Sequence, residues 1–172
     1  MTKHIMQATF AALIALPLAV HAADMQRRVE VARLGADVMP FSLSTTTHIF
    51  AKIADGGTQR VVAKNSADTK QVDLVRAHLH DIQAEFLKGD FSGPSHIHGE
   101  QMPGLAQLKA AKPGQVAIAY KDVEGGAELT YRTSDVKLVS ALHAWFDAQL
   151  SDHGADAMAG HQHHSHDEMQ KR

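Results

Sequence analysis

The chain contains no cysteine. It can form no disulfides and offers no thiolate to a metal, so packing alone must hold it, and any soft-metal site has to use histidine and methionine. It has no excess of basic charge: the net charge is −2 over 172 residues. A polyanion would find nothing to bind, which argues against a nucleic-acid partner. Long apolar runs are also missing. The longest, Phe10 to Val20, is about 11 residues, against the ~20 that a membrane-spanning helix needs. The sequence has no G-x-S-x-G elbow, no phosphate-binding glycine loop, no H-E-x-x-H and no C-x-x-C-H for covalent haem attachment.

What is present begins with an export signal. Lys3 supplies a positive start, Phe10–Val20 an apolar centre interrupted by Pro17, and Val20-His21-Ala22 the small-residue end that a signal peptidase reads. This predicts a signal peptide over 1–22 cleaved after Ala22, with Ala23 as the competing point, and a periplasmic mature protein with no membrane span. A mature chain of about 150 residues suits one domain with one core.

Within that domain the pattern is strand, turn, strand, helix, twice over. Residues 46–53 (T-T-H-I-F-A-K-I), the turn Asp55-Gly56-Gly57 and residues 58–64 predict a hairpin. Asp68 followed by Gln71 resembles a capping box, and Val72, Val75, Leu79, Ile82 and Phe86 recur at helical spacing. Gly89-Asp90 and Gly93-Pro94 read as the end of that helix and the start of a loop over 95–104, and Leu105–Ala111 as a short helix. Residues 115–121 and 127–133 around Glu124-Gly125-Gly126 predict a second hairpin. A second helix from Asp135 to about Leu150 follows, capped by Ser134, with Val139, Leu142, Phe146 and Leu150 as its stripe. Val29–Leu34 fits either a short helix or a strand. The expected fold is α+β, a single ββα-ββα-like domain over 23–155. The matching turns, with L-V-R-A (74–77) and L-V-S-A (138–141), raise an internal duplication. Residues 156–172 read as a disordered, His-rich tail.

Histidine is the compositional anomaly: thirteen in all, of which only His4 and His21 precede the expected cleavage point. The tail cluster His161, His163, His164 and His166 is a chelating tract. In the loop, His96-Ile97-His98 can grip one ion if extended, since residues i and i+2 then point the same way, with Met102 adding a thioether. In the first strand, the Ile49/Ala51/Ile53 side is the expected core face, which leaves His48 partly exposed and free to ligate. His78 and His143 lie beside the apolar stripes of the two helices, and His153 follows the second. For those three, a packed and hydrogen-bonded histidine is the ordinary alternative to a ligand. His80 points away from its stripe. Glu100 and Asp90 are the nearby acids that a catalytic role would use.

Three stretches carry a family likeness: M-P-F-S-L-S-T-T-T-H-I-F (39–50), G-D-F-S-G-P-S-H-I-H-G-E-Q-M-P-G-L (89–105) and L-H-A-W-F-D-A-Q-L-S-D-H-G (142–154). Over about residues 30–155 the chain resembles a family of small exported proteobacterial proteins commonly labelled aspartate carbamoyltransferase. The resemblance implies an exported single domain. The label does not fit the chemistry, because Ser44-Thr45-Thr46-Thr47 lacks the arginine of an S-T-R-T loop.

These readings converge on an expectation: a periplasmic protein binding a transition metal, copper first and zinc or nickel open, for trafficking or tolerance, with another periplasmic metal carrier as its partner. The expected ligands are His48, His78, His96, His98, Met102, His143, His153 and the tail histidines. The alternatives are a metal-dependent enzyme, a haem-binding protein and a structural module.

Overall fold

A computed structural model of the chain describes residues 16–160. The elements in order are α1 (Leu16–Val38), β1 (Thr46–Ile53), β2 (Gly56–Ala63), α2 (Thr69–Phe86), α3 (Ser92–His98), α4 (Leu105–Lys109), β3 (Ala117–Val123), β4 (Gly126–Arg132), α5 (Val136–His153) and β5 (Ala157–Ala159). The fold is α+β: a five-stranded sheet in the order β3-β4-β2-β1-β5, with helices on one face. Among the described residues no helix is long and apolar enough to cross a membrane.

The two hairpins meet through β2 and β4, which pair antiparallel. Their registers are equivalent. Ile53 faces Gly56 across the first turn as Val123 faces Gly126 across the second, and the central ladder pairs Gly56 with Arg132 as it pairs Gly126 with Val62. The strands therefore obey a two-fold relation that equates Gly56 with Gly126. The Asp55-Gly56-Gly57 and Glu124-Gly125-Gly126 match in the sequence is one residue off that relation. The L-V-x-A match is off the helical one, since the helices align by their caps, Asp68 and Asp135.

Each long helix crosses to the other hairpin. α2 packs on β4 and β3, and α5 on β2 and β1. The stripe of α2 is buried as its spacing predicts, with Val72, Val75, Leu79 and Phe86 inside. Asp68 caps it by accepting from the Gln71 backbone N–H at 3.2 Å. Gln71 does not reach back to complete a capping box, and its side chain accepts instead from the Ser42 backbone at 2.8 Å. α5 is capped by Asp135, not Ser134, and runs on to His153.

One open reading is resolved and three expectations change. Val29–Leu34 is helical, inside an α1 that crosses the Ala22–Ala23 bond. The core face of β1 carries His48 and Phe50, while Ile49, Ala51 and Ile53 are only half-buried on the open face. Phe50 decides this. Its ring packs on Phe146 of α5 at 5.2 Å, and with a side-chain period of two His48 must follow it inward.

The predicted loop around His96 is α3. Pro94 lies in its first turn, where the missing N–H costs no hydrogen bond, and Asp90 holds the helix start by accepting from the Ser92 N–H at 2.9 Å. Finally, part of the segment read as tail is folded: β5 pairs parallel with β1, and Gly160 N–H donates to the Phe50 carbonyl at 2.8 Å. The tail histidines His161, His163, His164 and His166 lie outside the described residues.

Candidate functional site: a histidine-lined cavity between the two long helices

Crossing the helices over opposite hairpins leaves space between them. A cavity of about 460 Å³ lies there, floored by His48, Phe50 and Gln59 of the sheet, walled by α2 and α5, and closed by α3 and the Val38–Pro40 segment. Its lining is mostly apolar, including Leu79, Ile82, Phe86 and Ile97. Volume and lining match those of small-molecule sites.

Polar side chains run along the α5 wall of the cavity, and three imidazoles gather at one end of it. Trp145, Gln149 and His153 stand four residues apart on α5, so all three line the cavity from one helical face. The His153 ring lies parallel to that of His48 at 5.1 Å between centroids, and edge-on to that of His98 at the same distance. Phe41, which does not line the cavity, packs between His48 at 5.9 Å and His78 at 5.5 Å.

Behind His98 stands a charged pair. His98 Nδ1–H donates to Asp152 at 2.7 Å, and the His98 side chain is only 2% exposed. Arg27 of α1 donates to Asp152 at 2.7 Å and to the His98 carbonyl at 2.8 Å. Three elements thereby fix one imidazole, with Nδ1 engaged and Nε2 left for an occupant of the cavity. Burial works to raise the Asp152 carboxyl, but the hydrogen bonds and charges of His98 and Arg27 outweigh it and bring it down to about 2.

Burial in the low-dielectric interior pushes His48 down to about 4, helped by the neighbouring His78 and His98 and opposed by the Asp156 backbone. Burial likewise takes His153 down to about 3, helped by His48 and His98, and it lowers His78. His48, His78 and His153 are therefore neutral at neutral pH.

Among the described residues, three buried side-chain polar atoms have no hydrogen-bond partner: His48 Nδ1, Trp145 Nε1 and Gln149 Oε1. All three belong to residues lining this cavity. Buried polar atoms are ordinarily satisfied, because leaving one unpaired costs about 1–3 kcal/mol. The three atoms are themselves inaccessible and lie within the α5 and β1 walls of the cavity.

The structure thus brings together His48, His98 and His153, with His78 across the cavity. It does not bring in the others. In a helix, His96 and His98 diverge by about 200°, and His96 is exposed beside Asp37 at 3.4 Å. Met102 is buried in the core away from the cavity lining. His143 donates from Nε2 to the carbonyls of Ile53 at 3.0 Å and Gly56 at 2.8 Å, which ties α5 to the first hairpin turn. His80 is exposed, with its ring edge-on to Tyr120. Glu100 pairs with Lys109 at the surface and Asp90 caps α3, so neither acid reaches the cavity.

Arg27, Trp145, Gln149 and Asp152 were not singled out from sequence. The four-residue spacing of Trp145, Gln149 and His153 is the signal that points to three of the lining groups. Among the described residues no group of three or more His, Asp or Glu side chains is already arranged to hold a metal ion. The chain matches no family model, no curated protein and no solved structure.

Proposed function

We propose that this protein is a periplasmic binding module that takes a small, largely apolar molecule into the cavity between α2 and α5. The observation that carries this reading is the cavity itself, about 460 Å³ with a mostly apolar lining and the rings of His48, His98 and His153 gathered at one end. The apolar wall supplies affinity and the polar end fixes orientation. The export signal read from the sequence supports a site of action outside the cytoplasm.

Trp145 is the single tryptophan of the chain, so its fluorescence reports the cavity directly. The test is to purify the protein from its native host under non-denaturing conditions, record its intact mass, and then titrate the emptied protein with small aromatic probes. A co-purifying molecule, or a saturable change in Trp145 emission with a rise in Tm, supports the reading. No bound molecule and no response from any probe would overturn it.

A second reading is favoured by one arrangement. An imidazole whose far nitrogen is held by a carboxylate is the usual outer support of a metal ligand, and His98 on Asp152 has it, with His153 within reach of both His98 and His48. On this reading His48, His98 and His153 close on copper, or on zinc or nickel, for trafficking or tolerance, and the tail histidines add capacity. Calorimetry with copper in both oxidation states and with zinc tests it. One tight equivalent lost in His98→Ala with the tail intact supports a core metal site. Binding that His98→Ala leaves unchanged assigns the metal to other residues.

A further inference from the structure

We infer that His98 is a general base whose Nε2 takes a proton from a carbon acid held in the cavity. This goes beyond the ligand-binding reading above and rests on it. The His98 ring has one tied side and one free side. Nδ1 is bound to the Asp152 carboxylate at 2.7 Å. Arg27 anchors that carboxylate at 2.7 Å and the His98 carbonyl at 2.8 Å. This grip fixes the ring orientation and the tautomer of the neutral imidazole. Among the described residues Nε2 has no hydrogen-bond partner, yet it is not one of the inaccessible polar atoms, which belong to His48, Trp145 and Gln149. It opens onto the cavity that His98 lines. A carboxylate behind one nitrogen and a cavity before the other is the arrangement that positions an imidazole for proton transfer.

The lining decides which reaction such a base serves. It contains no Ser, Thr, Cys, Lys or Arg. The base has no side-chain hydroxyl, thiol or amine to activate, and no side-chain cation faces a developing oxyanion or a transferring phosphoryl group. Proton abstraction from carbon needs fewer parts: a positioned base, and apolar walls that exclude water from it. Ile97, Phe50, Phe86 and Trp145 supply such walls. The substrate class is therefore an uncharged, largely apolar molecule with an acidic C–H beside an electron-withdrawing group, whose negative charge spreads within the molecule itself. His48 and His153 lie at the same end, but burial holds them at about 4 and about 3, so both are poor proton acceptors. Glu85, on the α2 side, is the rival base. Burial and the neighbouring Asp90 and Asp81 raise its carboxyl.

The probe is 5-nitrobenzisoxazole, whose ring opening needs one base and nothing else. Nε2 takes the ring C–H proton, and that C–H electron pair becomes the third bond of a nitrile. The N–O bond breaks with its pair left on oxygen, giving a coloured cyanonitrophenolate, and His98 passes the proton to the buffer. The full protein is assayed from pH 6 to pH 9 with EDTA present, while Trp145 fluorescence reads binding. The expected result is saturable turnover with kcat/KM about a hundredfold or more above the rate constant of free imidazole, the active form lying on the alkaline side of a single-proton limb. His98→Ala is expected to lose that excess, and so is His98→Gln, whose amide still donates to Asp152. Asp152→Asn is expected to lower kcat about tenfold or more with KM little changed, and an unchanged kcat would overturn the positioning role of Asp152. Probe binding without turnover overturns the inference and leaves the cavity reading standing. Turnover that survives both His98 variants assigns the base to another group, Glu85 first, and overturns it too, as does activity that EDTA abolishes or that rises toward acid. Absence of both binding and turnover overturns the cavity reading as well. Circular dichroism reports whether each variant is folded, and because wild-type turnover is the first requirement, a misfolded variant does not rescue the inference.

Discussion

At the scale of single residues, the costly positions are those where a buried polar atom has one partner or a backbone has no spare room. Asp152 is the clearest. It is the sole partner of a buried ring nitrogen of His98 and the anchor of Arg27. Asp152→Ala is expected to lower stability by about 1–3 kcal/mol, because it leaves the buried His98 Nδ1–H without a partner, while the exposed Arg27 keeps the His98 carbonyl. Asp152→Asn keeps an acceptor and is expected to cost less. Urea denaturation of the two variants measures the difference, and equal losses would mean that charge rather than hydrogen bonding holds His98. Gly57 is the second. A Cβ there would meet the Phe146 ring at 2.3 Å and the Ala51 carbonyl at 2.7 Å. Neither neighbour is a flexible chain end, so Gly57→Ala is expected to cost about 1–3 kcal/mol by overpacking, again read from the urea midpoint.

At the scale of elements, what could be read from sequence was what local chemistry dictates. Asp68 and the Val72–Phe86 stripe specify α2 without any tertiary information, and the glycine turns place both hairpins. Which face of β1 is buried was not legible, since both faces carry apolar residues and the choice is made by Phe146 on an element far along the chain. α3 was hidden because Gly93-Pro94 is a breaker signal everywhere except in a helix's first turn, and its position there depends on Asp90 and on Phe91 stacking against Phe86 at 4.3 Å. The same dependence hid the site: the polar end of the cavity draws on α1, β1, α3 and α5 at once, and only the spacing along α5 is local. The local signals have a measurable counterpart. Removing either helix cap, Asp68→Ala or Asp135→Ala, is expected to cost about 1 kcal/mol. Each accepts one backbone N–H, from Gln71 at 3.2 Å and from Lys137 at 2.8 Å. Ser134→Ala is expected to be close to neutral, since Ser134 is not the cap.

At the scale of the whole molecule, a cluster of neutral imidazoles ties stability to pH. His48 and His153 have folded values of about 4 and about 3, below the ordinary value near 6.5. Above that value neither the folded nor the unfolded chain holds the proton, and their contribution is complete. Below it the unfolded chain takes up protons that the folded chain refuses, so stability falls as the pH drops toward 4 and then 3. The groups facing them do not reverse the sign. His78 and His98 add repulsion, while Asp152, already paired with Arg27, and the Asp156 backbone oppose it without cancelling it. Asp152, at about 2, keeps its own contribution until the pH falls below the ordinary carboxylate range. The interval from pH 6.5 to 4 therefore belongs to the histidines. Between pH 7 and pH 5, each of His48 and His153 is expected to withdraw about 2 kcal/mol of unfolding free energy. A Phe at position 48 should remove its share of the slope, whatever it does to the stability at pH 7. Urea midpoints across that interval check this, and a profile as steep in His48→Phe as in the parent would show that the proton goes elsewhere.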